Sequence, residues 1–260
     1  MKIQDNYDEQ FIIYSDKYEA SRVVADEMCN VIEEIGLAGG LPVLGLATGA
    51  TPEIIYKYLI EAYQKGKSFA KTICFNLDEY YPIQKENPNS FYYSMYKQLF
   101  NYIDIPDNNI HIPHIGTLDT PLHDFCKDYE NKINQVGGID LQILGIGENG
   151  HIAFNEPGSD FNSLTRLVDL DEVTRKNAAA DFGGVSAVPN QGITMGIQSI
   201  LQAKKIILLA FGENKGRIMN RLLYEPITPD LPASFLKLHS NCQFVLDEAC
   251  AKNIKYMDIT

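Results

Sequence analysis

The sequence predicts an α/β fold with a doubly wound, mostly parallel sheet flanked by helices. Short apolar runs recur along the chain without polar alternation, as is typical of strands buried on both faces. Amphipathic stretches of helical period separate these runs, and such strand–helix alternation builds parallel sheets. No internal repeat, low-complexity segment or linker interrupts the pattern. We therefore expect residues 1–260 to form one Rossmann-like domain.

The elements can be assigned in chain order. Apolar runs predict strands at residues 11–14, 42–47, 72–77, 139–146, 206–211 and 244–246. The first helix should follow Asp16, an N-cap residue with Glu19 three positions later, and bury a face that includes Val24, Met28 and Ile32. Further helical patterns cover residues 52–65, 90–102, 122–135, 193–202 and 214–223.

Composition excludes several classes of protein. A formal net charge of −12 argues against nucleic-acid binding, which normally needs a basic surface. Five widely spaced cysteines without a Cys-x-x-Cys pair indicate reduced core thiols. No apolar run is long enough to span a membrane, and the first residues lack the order of a signal peptide. We expect a cytoplasmic protein without membrane contact.

The segment after the run 139–146 gives the strongest indication of chemistry. That run leads into a glycine-rich turn, Gly145–Gly150, followed by His151 and Glu156. A histidine and a carboxylate at a strand end suggest an enzyme that transfers protons. The turn also matches the dinucleotide pattern Gly-x-Gly-x-x-Gly, but that motif needs a helix starting within it, and Pro157 follows too closely. A tight turn with a packed histidine is the remaining alternative.

Two other strand ends offer groups that could hold a phosphate. The second predicted strand runs into a loop formed by Thr48, Gly49, Ala50 and Thr51. Thr51 is a suitable N-cap and Pro52 a suitable first helical residue, so free N–H groups here could bind a phosphate. A capped helix without a ligand explains the same residues. Lys215, after the run 206–211, could supply a cation, although a lone lysine is more often a solvated surface charge.

The third predicted strand ends at adjacent carboxylates, Asp78 and Glu79. Successive strand side chains project to opposite sides, so only one enters a cleft while the other stays solvated or paired. Asp78 is the better candidate base, and a simple loop or helix cap is the alternative. His111 and His114 have a metal-like spacing, but Pro113 denies them a helix and no third ligand is near. We therefore expect no metal site.

The phosphate loop, the carboxylate, the His–Glu pair and the lysine occur together in one chain, which favours a functional interpretation of each. They follow separate strand runs, and the carboxyl ends of parallel strands meet at one edge of a sheet. We expect the loop at residues 48–51, Asp78, the His151–Glu156 pair and Lys215 to share one crevice.

Several segments resemble the glucosamine-6-phosphate deaminase/isomerase family. They occur in that family's order over nearly the whole chain: Leu-Ala-Thr-Gly-Ala-Thr-Pro (46–52), Phe-Asn-Leu-Asp-Glu-Tyr (75–80), Leu-Gly-Ile-Gly-Glu-Asn-Gly-His-Ile-Ala-Phe-Asn-Glu-Pro (144–157), Ile-Thr-Met-Gly-Ile (193–197) and Phe-Leu-Lys-Leu-His (235–239). The Thr-Gly-x-Thr-Pro piece alone is also shared with 6-phosphogluconolactonases. The resemblance implies conversion of an amino-sugar 6-phosphate and water to a ketohexose 6-phosphate and ammonia. It implies neither a metal nor an organic cofactor.

The resemblance also implies roles for individual residues. Asp78 would be the base that moves the C2 proton toward C1 through an enolamine. His151 would open the pyranose ring, with Asn149 and Glu156 polarising and orienting it. These assignments suit the residue types, because a carboxylate can shuttle a carbon-bound proton and imidazole titrates near neutral pH.

The 6-phosphate would be held by the loop at residues 48–51 and by Lys215. Two positions depart from the family pattern. Some members carry Asp where this chain has Asn149, which cannot hold a charge, so Glu156 is expected to carry more of the ionic role. Some members have a phosphate-binding arginine where this chain reads Lys-Asn-Ala-Ala-Ala (176–180).

Two other functions stay open at this point. A 6-phosphogluconolactonase would hydrolyse an ester, should carry Asp-Glu-Arg at residues 78–80, and should lack the Phe-Asn-Glu-Pro run (154–157). A non-catalytic sugar-phosphate sensor, such as the effector domain of a transcriptional regulator, should carry a helix-turn-helix segment. The residues before the phosphate loop are already used by one strand and one helix.

The substrate epimer and the assembly are less constrained. The expected substrate is glucosamine 6-phosphate or galactosamine 6-phosphate. Residues 232–241 and Ala50 resemble the galactosamine-6-phosphate branch of the family more than the glucosamine branch, which favours the galactosamine epimer. Family members are often oligomeric, which leaves a homo-oligomer open.

Overall fold

The structure, a computed structural model, describes residues 10–115, 121–252 and 254. Its strands are β1 (Phe11–Tyr14), β2 (Val43–Leu46), β3 (Ile73–Asn76), β4 (Asp78–Tyr81), β5 (Ile110–His111), β6 (Leu141–Gly145), β7 (Arg166–Asp169), β8 (Gln191–Thr194), β9 (Lys205–Ala210) and β10 (Cys242–Asp247). Its helices are α1 (Lys17–Leu37), α2 (Ala50–Gln64), α3 (Phe91–Gln98), α4 (Leu122–Gln135), α5 (Glu172–Phe182), α6 (Ile197–Leu201), α7 (Gly216–Tyr224) and α8 (Glu248–Ala251). The predicted absence of a signal peptide concerns N-terminal residues outside the described part.

The main sheet has the strand order β1-β10-β9-β6-β2-β3-β5, and every neighbouring pair is parallel. This confirms the predicted parallel sheet, because the six apolar runs supply all of its strands except the short edge strand β5. Side chains alternate between the two faces. One face packs on α1, α2 and α3, and the other packs on α4, α6 and α7. The chain is therefore doubly wound, with helices on both sides of the sheet.

Local sequence signals fix the start of α1. The carboxylate of Asp16 accepts hydrogen bonds from the backbone N–H groups of Tyr18 and Glu19, at 2.7 and 2.9 Å. Glu19 in turn accepts from the backbone N–H of Ser15, the residue before the N-cap. All five cysteines are buried and unpaired, as expected for reduced core thiols. In the part of the chain that the structure describes, no helix is both long and apolar enough to cross a membrane.

A second, antiparallel sheet, with the order β4-β8-β7, was not predicted. The helix predicted over residues 193–202 is wrong at its start, because Gln191–Thr194 forms β8 and α6 covers only Ile197–Leu201. The apolar residues of this run pack against β4 and β7, which lie far away in the sequence, so local periodicity did not reveal the strand. The third predicted strand is also shorter than expected, since β3 ends at Asn76.

Leu77 joins the two sheets. Its backbone N–H donates to the Leu46 carbonyl in the main sheet at 3.0 Å. Its own carbonyl accepts from the Met195 N–H, directly after β8, at 2.8 Å. Asp78, the first residue of β4, is therefore held directly beside this joint.

Candidate functional site

A cleft of about 580 Å³ opens at the carboxyl ends of β2 and β6, beside the start of β4. Most of the predicted site residues line it: Thr48, Gly49, Ala50, Thr51, Asp78, His151 and Lys215. The other two predicted residues, Asn149 and Glu156, lie behind His151 and bond to it or to each other. The fold therefore brings the loop at residues 48–51, Asp78, His151 and Lys215 to one cleft, whereas Glu156 contacts this group through His151.

The loop after β2 differs in detail from its prediction. Helix α2 begins at Ala50, so the N-cap residue is Gly49 rather than Thr51, and no side chain caps the helix. Gly49 has φ +141°, a conformation that favours glycine, and this turns the chain into the helix one residue earlier than the Thr-Pro pattern suggested. The first N–H groups of α2 therefore lack side-chain partners at the cleft.

Two further residues define this end of the cleft. Asn76, buried at the end of β3, donates its side-chain N–H to the Thr48 hydroxyl at 3.4 Å, a contact that the sequence did not indicate. Lys215 lies in a 3₁₀ turn after β9, and its Nζ donates to the Ile146 carbonyl at 2.8 Å. Burial lowers the pKa of Lys215, and the negative charge of Glu148 partly offsets this decrease. Lys215 is the only lysine or arginine among the described residues that line the cleft.

The carboxylates of Asp78 and Glu79 have different surroundings. Glu79 is fully buried, and its oxygens accept backbone hydrogen bonds from Tyr80, Phe91 and Tyr92 at 2.7–2.9 Å. Asp78 is 7% exposed, and its carboxylate accepts no hydrogen bond from residues 10–115, 121–252 or 254. Burial, and then the charge of Glu79, raises the pKa of Asp78 well above its usual range. Burial also raises the pKa of Glu79, to about 7, although the three backbone hydrogen bonds oppose the shift.

His151 and Glu156 form the pair that the sequence predicted. His151 Nδ1 lies 3.3 Å from Glu156 Oε2, and both side chains are mostly buried. The Asn149 side chain donates to Glu156 Oε2 at 2.8 Å, and its oxygen accepts from the His151 backbone N–H. The imidazole packs directly over Gly147, where an added Cβ would lie 2.3 Å from the ring. The histidine ring therefore fills the space over this turn. The next helix, α5, starts only at Glu172, so no helix begins within the glycines and the dinucleotide motif is ruled out.

The carboxylate of Glu156 is held in its ionised form by its neighbours. Burial alone would raise the pKa of Glu156. The hydrogen bond and charge of His151, with hydrogen bonds from Thr174 and Asn149, outweigh burial and bring the pKa below its usual value. An ionised carboxylate beside Nδ1 is suited to stabilise a protonated imidazole.

Thr174 is a site residue that the sequence analysis missed. It lies on α5, and its hydroxyl donates to Glu156 Oε1 at 2.6 Å. The same hydroxyl oxygen lies 3.3 Å from His151 Nδ1. A threonine inside a polar helix carries no local signal of such a role. Helix α5 also presents Asn177, Ala178 and Asp181 to the cleft, so the segment 176–180 contributes no cation.

No group of three or more His, Cys, Asp or Glu side chains suited to a metal ion occurs among the described residues. His111 and His114 instead lie at the edge of the main sheet. The His111 ring stacks on Phe75, with a centroid distance of 4.6 Å.

Comparison with known proteins is consistent with this arrangement. The family model described as glucosamine-6-phosphate isomerases/6-phosphogluconolactonase matches residues 15–245. A glucosamine-6-phosphate deaminase from Oceanobacillus iheyensis is 46% identical over 94% of this chain and 96% of its own length. One from Clostridium botulinum is 48% identical over 82% of this chain and 87% of its own length.

Solved structures give the same result for the fold. A monomeric glucosamine-6-phosphate deaminase superposes with a TM-score of 0.89 at 38% identity, covering 95% of this chain and all of its own. A 6-phosphogluconolactonase from Thermotoga maritima has a TM-score of 0.70 at 22% identity, covering 92% of this chain and 99% of its own, which shows a shared fold alone. With a family model matched over most of its length and relatives at nearly half identity, the chain belongs to the glucosamine-6-phosphate isomerase/6-phosphogluconolactonase family.

Proposed function

We propose that this enzyme is an amino-sugar-6-phosphate deaminase, which converts its substrate and water to a ketohexose 6-phosphate and ammonia. One observation carries the proposal, which is the grouping of three features at one cleft. They are a buried carboxylate that accepts no hydrogen bond from the described residues, a His–Glu pair, and a helix N-terminus with a lysine. Shuttling a carbon-bound proton, opening a sugar ring and binding a phosphate need these kinds of group. The names of the relatives from O. iheyensis and C. botulinum support the same activity.

In this proposal the 6-phosphate binds where α2 begins. The unpaired N–H groups and the positive end of the helix dipole favour an anion there. The hydroxyls of Thr48 and Thr51 can donate further hydrogen bonds. Lys215 adds a positive charge, and its bond to the Ile146 carbonyl keeps the ammonium group at the cleft wall. The net charge of −12 opposes an anionic substrate, so this local group of donors must supply the attraction.

Asp78 acts on the carbon skeleton of the open-chain sugar. Its carboxylate takes the proton from C2, which gives an enolamine, and returns the proton to C1. The resulting imine at C2 adds water and releases ammonia, leaving the ketone. The raised pKa makes the ionised form of Asp78 a stronger base than an ordinary carboxylate. Among the residues that the structure describes, none donates a hydrogen bond to the Asp78 carboxylate. This supports the role, because such donors would stabilise the carboxylate and weaken it as a base.

His151 prepares the substrate for that step. The imidazole takes the proton of the anomeric hydroxyl and delivers it to the ring oxygen, which breaks the bond between C1 and the ring oxygen. Protonated His151 forms transiently, and the ionised Glu156 beside Nδ1 stabilises it. Asn149 holds Glu156 by a hydrogen bond, so it supports the pair without carrying charge.

The rival functions have less support. Where a lactonase was expected to carry arginine, Tyr80 packs into an aromatic cluster with Phe91, Phe154 and Phe182, at centroid distances of 4.8–5.3 Å. A sensor with a helix-turn-helix before the phosphate loop also lacks support, since residues 10–47 form β1, α1 and β2.

We propose glucosamine 6-phosphate, rather than galactosamine 6-phosphate, as the preferred substrate. The galactosamine prediction relied largely on residues 232–241, yet none of these residues lines the cleft. The first part of this segment instead forms a 3₁₀ helix (Pro232–Leu238) whose first five residues are buried, and the Ala233 N–H donates to the Gly150 carbonyl at 3.0 Å. This segment packs against the glycine-rich turn Gly145–Gly150 and stays outside the cleft. It therefore cannot contact the C4 hydroxyl that distinguishes the two sugars. The names of the relatives at 46–48% identity favour the glucosamine epimer.

The test is steady-state kinetics with glucosamine 6-phosphate, galactosamine 6-phosphate and 6-phosphogluconolactone. We expect ammonia release from both amino sugars and no lactone hydrolysis. The glucosamine epimer should be favoured at least tenfold in kcat/KM, about 1.4 kcal/mol in transition-state binding. A tenfold preference for the galactosamine epimer would reverse the substrate assignment, and lactone hydrolysis without ammonia release would refute the deaminase itself.

A further inference from the structure

Helix α5 lines the cleft, and near its end Ala178 and Phe182 pack on the apolar cluster around Tyr80 and Phe154. Thr174 is the only buried residue of the helix and is 7% exposed. Elsewhere, Asn89 donates a side-chain hydrogen bond to the Asp181 carbonyl at 3.1 Å, and Arg175 bonds the turn that follows the helix. Toward the His151–Glu156 pair, the contact of α5 runs through the Thr174 hydroxyl.

The hydrogen bonds of this hydroxyl specify where the protons lie. A threonine hydroxyl has one proton, and the 2.6 Å distance assigns it to Glu156 Oε1, because the ionised carboxylate can only accept. Toward His151 Nδ1, at 3.3 Å, the hydroxyl oxygen can then offer only a lone pair. Glu156 Oε2, also 3.3 Å from Nδ1, is likewise an acceptor. Both neighbours of Nδ1 therefore accept, so the neutral imidazole carries its proton on Nδ1 and its lone pair on Nε2.

We propose that Thr174 is a positioning residue that fixes the tautomer and orientation of His151, so that the acid–base pair is complete only when α5 is docked. The proposal rests on the proposed ring-opening function of His151. Nε2 is the nitrogen left to exchange protons with the sugar, since Nδ1 is committed to the Thr174–Glu156 side. Without the hydroxyl, Glu156 loses a donor on Oε1 and Nδ1 loses an acceptor. Nδ1 then keeps only the acceptor Glu156 Oε2, so the Nδ1–H tautomer is favoured less strongly and the ring orientation is less defined.

Matched substitutions separate the hydroxyl from packing. Thr174→Val preserves the shape of the side chain and removes its hydroxyl, whereas Thr174→Ser keeps the hydroxyl and removes a methyl group. We expect the valine variant to lose about 10- to 100-fold in kcat on the cyclic substrate, as for one hydrogen bond to a charged group. KM should change much less, and serine should restore most of the loss. Glu172→Gln, at an exposed position of the same helix, is the control and should leave both constants unchanged.

The pH profile gives a readout that a purely structural role would not move. Loss of the Thr174 donor raises the pKa of Glu156, so the acid limb of kcat/KM should shift to higher pH in the valine variant only. An unchanged profile and kcat in Thr174→Val would overturn the proposal, as would an equal loss in Thr174→Ser. A rise in KM alone would also refute it, because α5 would then act only on substrate binding.

A substrate-free measurement keeps this test separate from the proposed function. Side-chain ¹⁵N spectra of the histidines, assigned with His151→Gln, report the tautomer directly. We expect His151 to be the Nδ1–H tautomer in the wild-type protein and to show a larger share of the Nε2–H tautomer in Thr174→Val. If the wild-type protein has the proton on Nε2, the Thr174 proposal fails even if ammonia is released. If the tautomer is as expected but no amino sugar is deaminated, the proposed function fails.

Discussion

Asp78 and Glu79 are neighbours in the chain, yet their carboxylates have opposite hydrogen-bonding environments. Glu79 accepts three backbone hydrogen bonds that anchor β4 to the start of α3, whereas Asp78 accepts none from the described residues and faces the cleft. The alternation of a strand produces this division, because successive side chains project to opposite sides. One carboxylate thus supports the structure, while the other remains reactive.

The first prediction concerns catalysis by Asp78. Asp78→Asn removes the group proposed to move the C2 proton and should lower kcat by about 10²- to 10⁴-fold, the usual effect of losing one general acid–base group. Substrate binding should change little, because the phosphate contacts remain. Wild-type turnover in heavy water should place deuterium at C1 of the product. Full activity of Asp78→Asn, measured as ammonia release, would rule out the assignment.

The second prediction concerns the stability of the same variant. The folded protein raises the pKa of Asp78 above its ordinary value of 3.8, so ionisation of this group opposes folding. The stability gained from the protonated form is complete below about pH 4 and is lost as the pH rises through the folded-state pKa. Asparagine cannot ionise. Asp78→Asn should therefore be more stable than wild type at pH 8, and the difference in unfolding free energy should shrink toward pH 4.

Urea unfolding at several pH values measures this difference. Because Glu79 titrates in both proteins, its contribution largely cancels in the comparison. A difference that is constant with pH would mean that the substitution acts through packing rather than through ionisation of Asp78.

The third prediction concerns ring opening. His151→Gln should reduce turnover of the closed pyranose by about 10²- to 10⁴-fold, because no other imidazole lines the cleft among the described residues. An amino-alditol 6-phosphate cannot form a ring and needs no opening, so its inhibition constant should change little. If this inhibitor and the cyclic substrate are weakened equally, His151 is a structural residue.

The fourth prediction concerns the cation of the cleft. Lys215→Met keeps the length of the side chain but removes its charge, and it should raise KM by about 10- to 150-fold, as for a lost charge-assisted hydrogen bond. Inhibition by inorganic phosphate should weaken in parallel. Lys176→Met removes a solvent-exposed lysine on α5 that pairs with Glu172, so it is the matched control. Equal effects of the two substitutions would mean that Lys215 acts through the overall electrostatic field of the protein and not through direct contact with the phosphate.

The sequence predicted most of the main sheet and the residues that gather at its edge. Strands buried on both faces leave continuous apolar runs, and their carboxyl ends necessarily converge. That topology was sufficient to bring together the loop at residues 48–51, Asp78, His151 and Lys215. The start of α2 was misjudged because the local Thr-Pro signal competes with the backbone conformation of Gly49, which depends on the sheet before it.

The small sheet and Thr174 could not be predicted by the same means. β4, β7 and β8 are short and mix polar with apolar residues, and their pairing joins segments that are distant in the chain. Their strand character comes from tertiary contacts rather than from a local pattern. Thr174 is an ordinary residue of a helix until the fold brings it to Glu156.

The position of Leu77 has a consequence for the working temperature of the enzyme. One hydrogen bond ties this residue to the main sheet and another ties it to the small sheet. The proposed phosphate-binding loop follows a strand of the first sheet and the proposed base lies in the second, so their alignment depends in part on this joint. Local opening of a few bonds requires less free energy than global unfolding. We therefore expect heating to misalign the proposed base and the substrate before either sheet melts, so that activity is lost at a lower temperature than the fold.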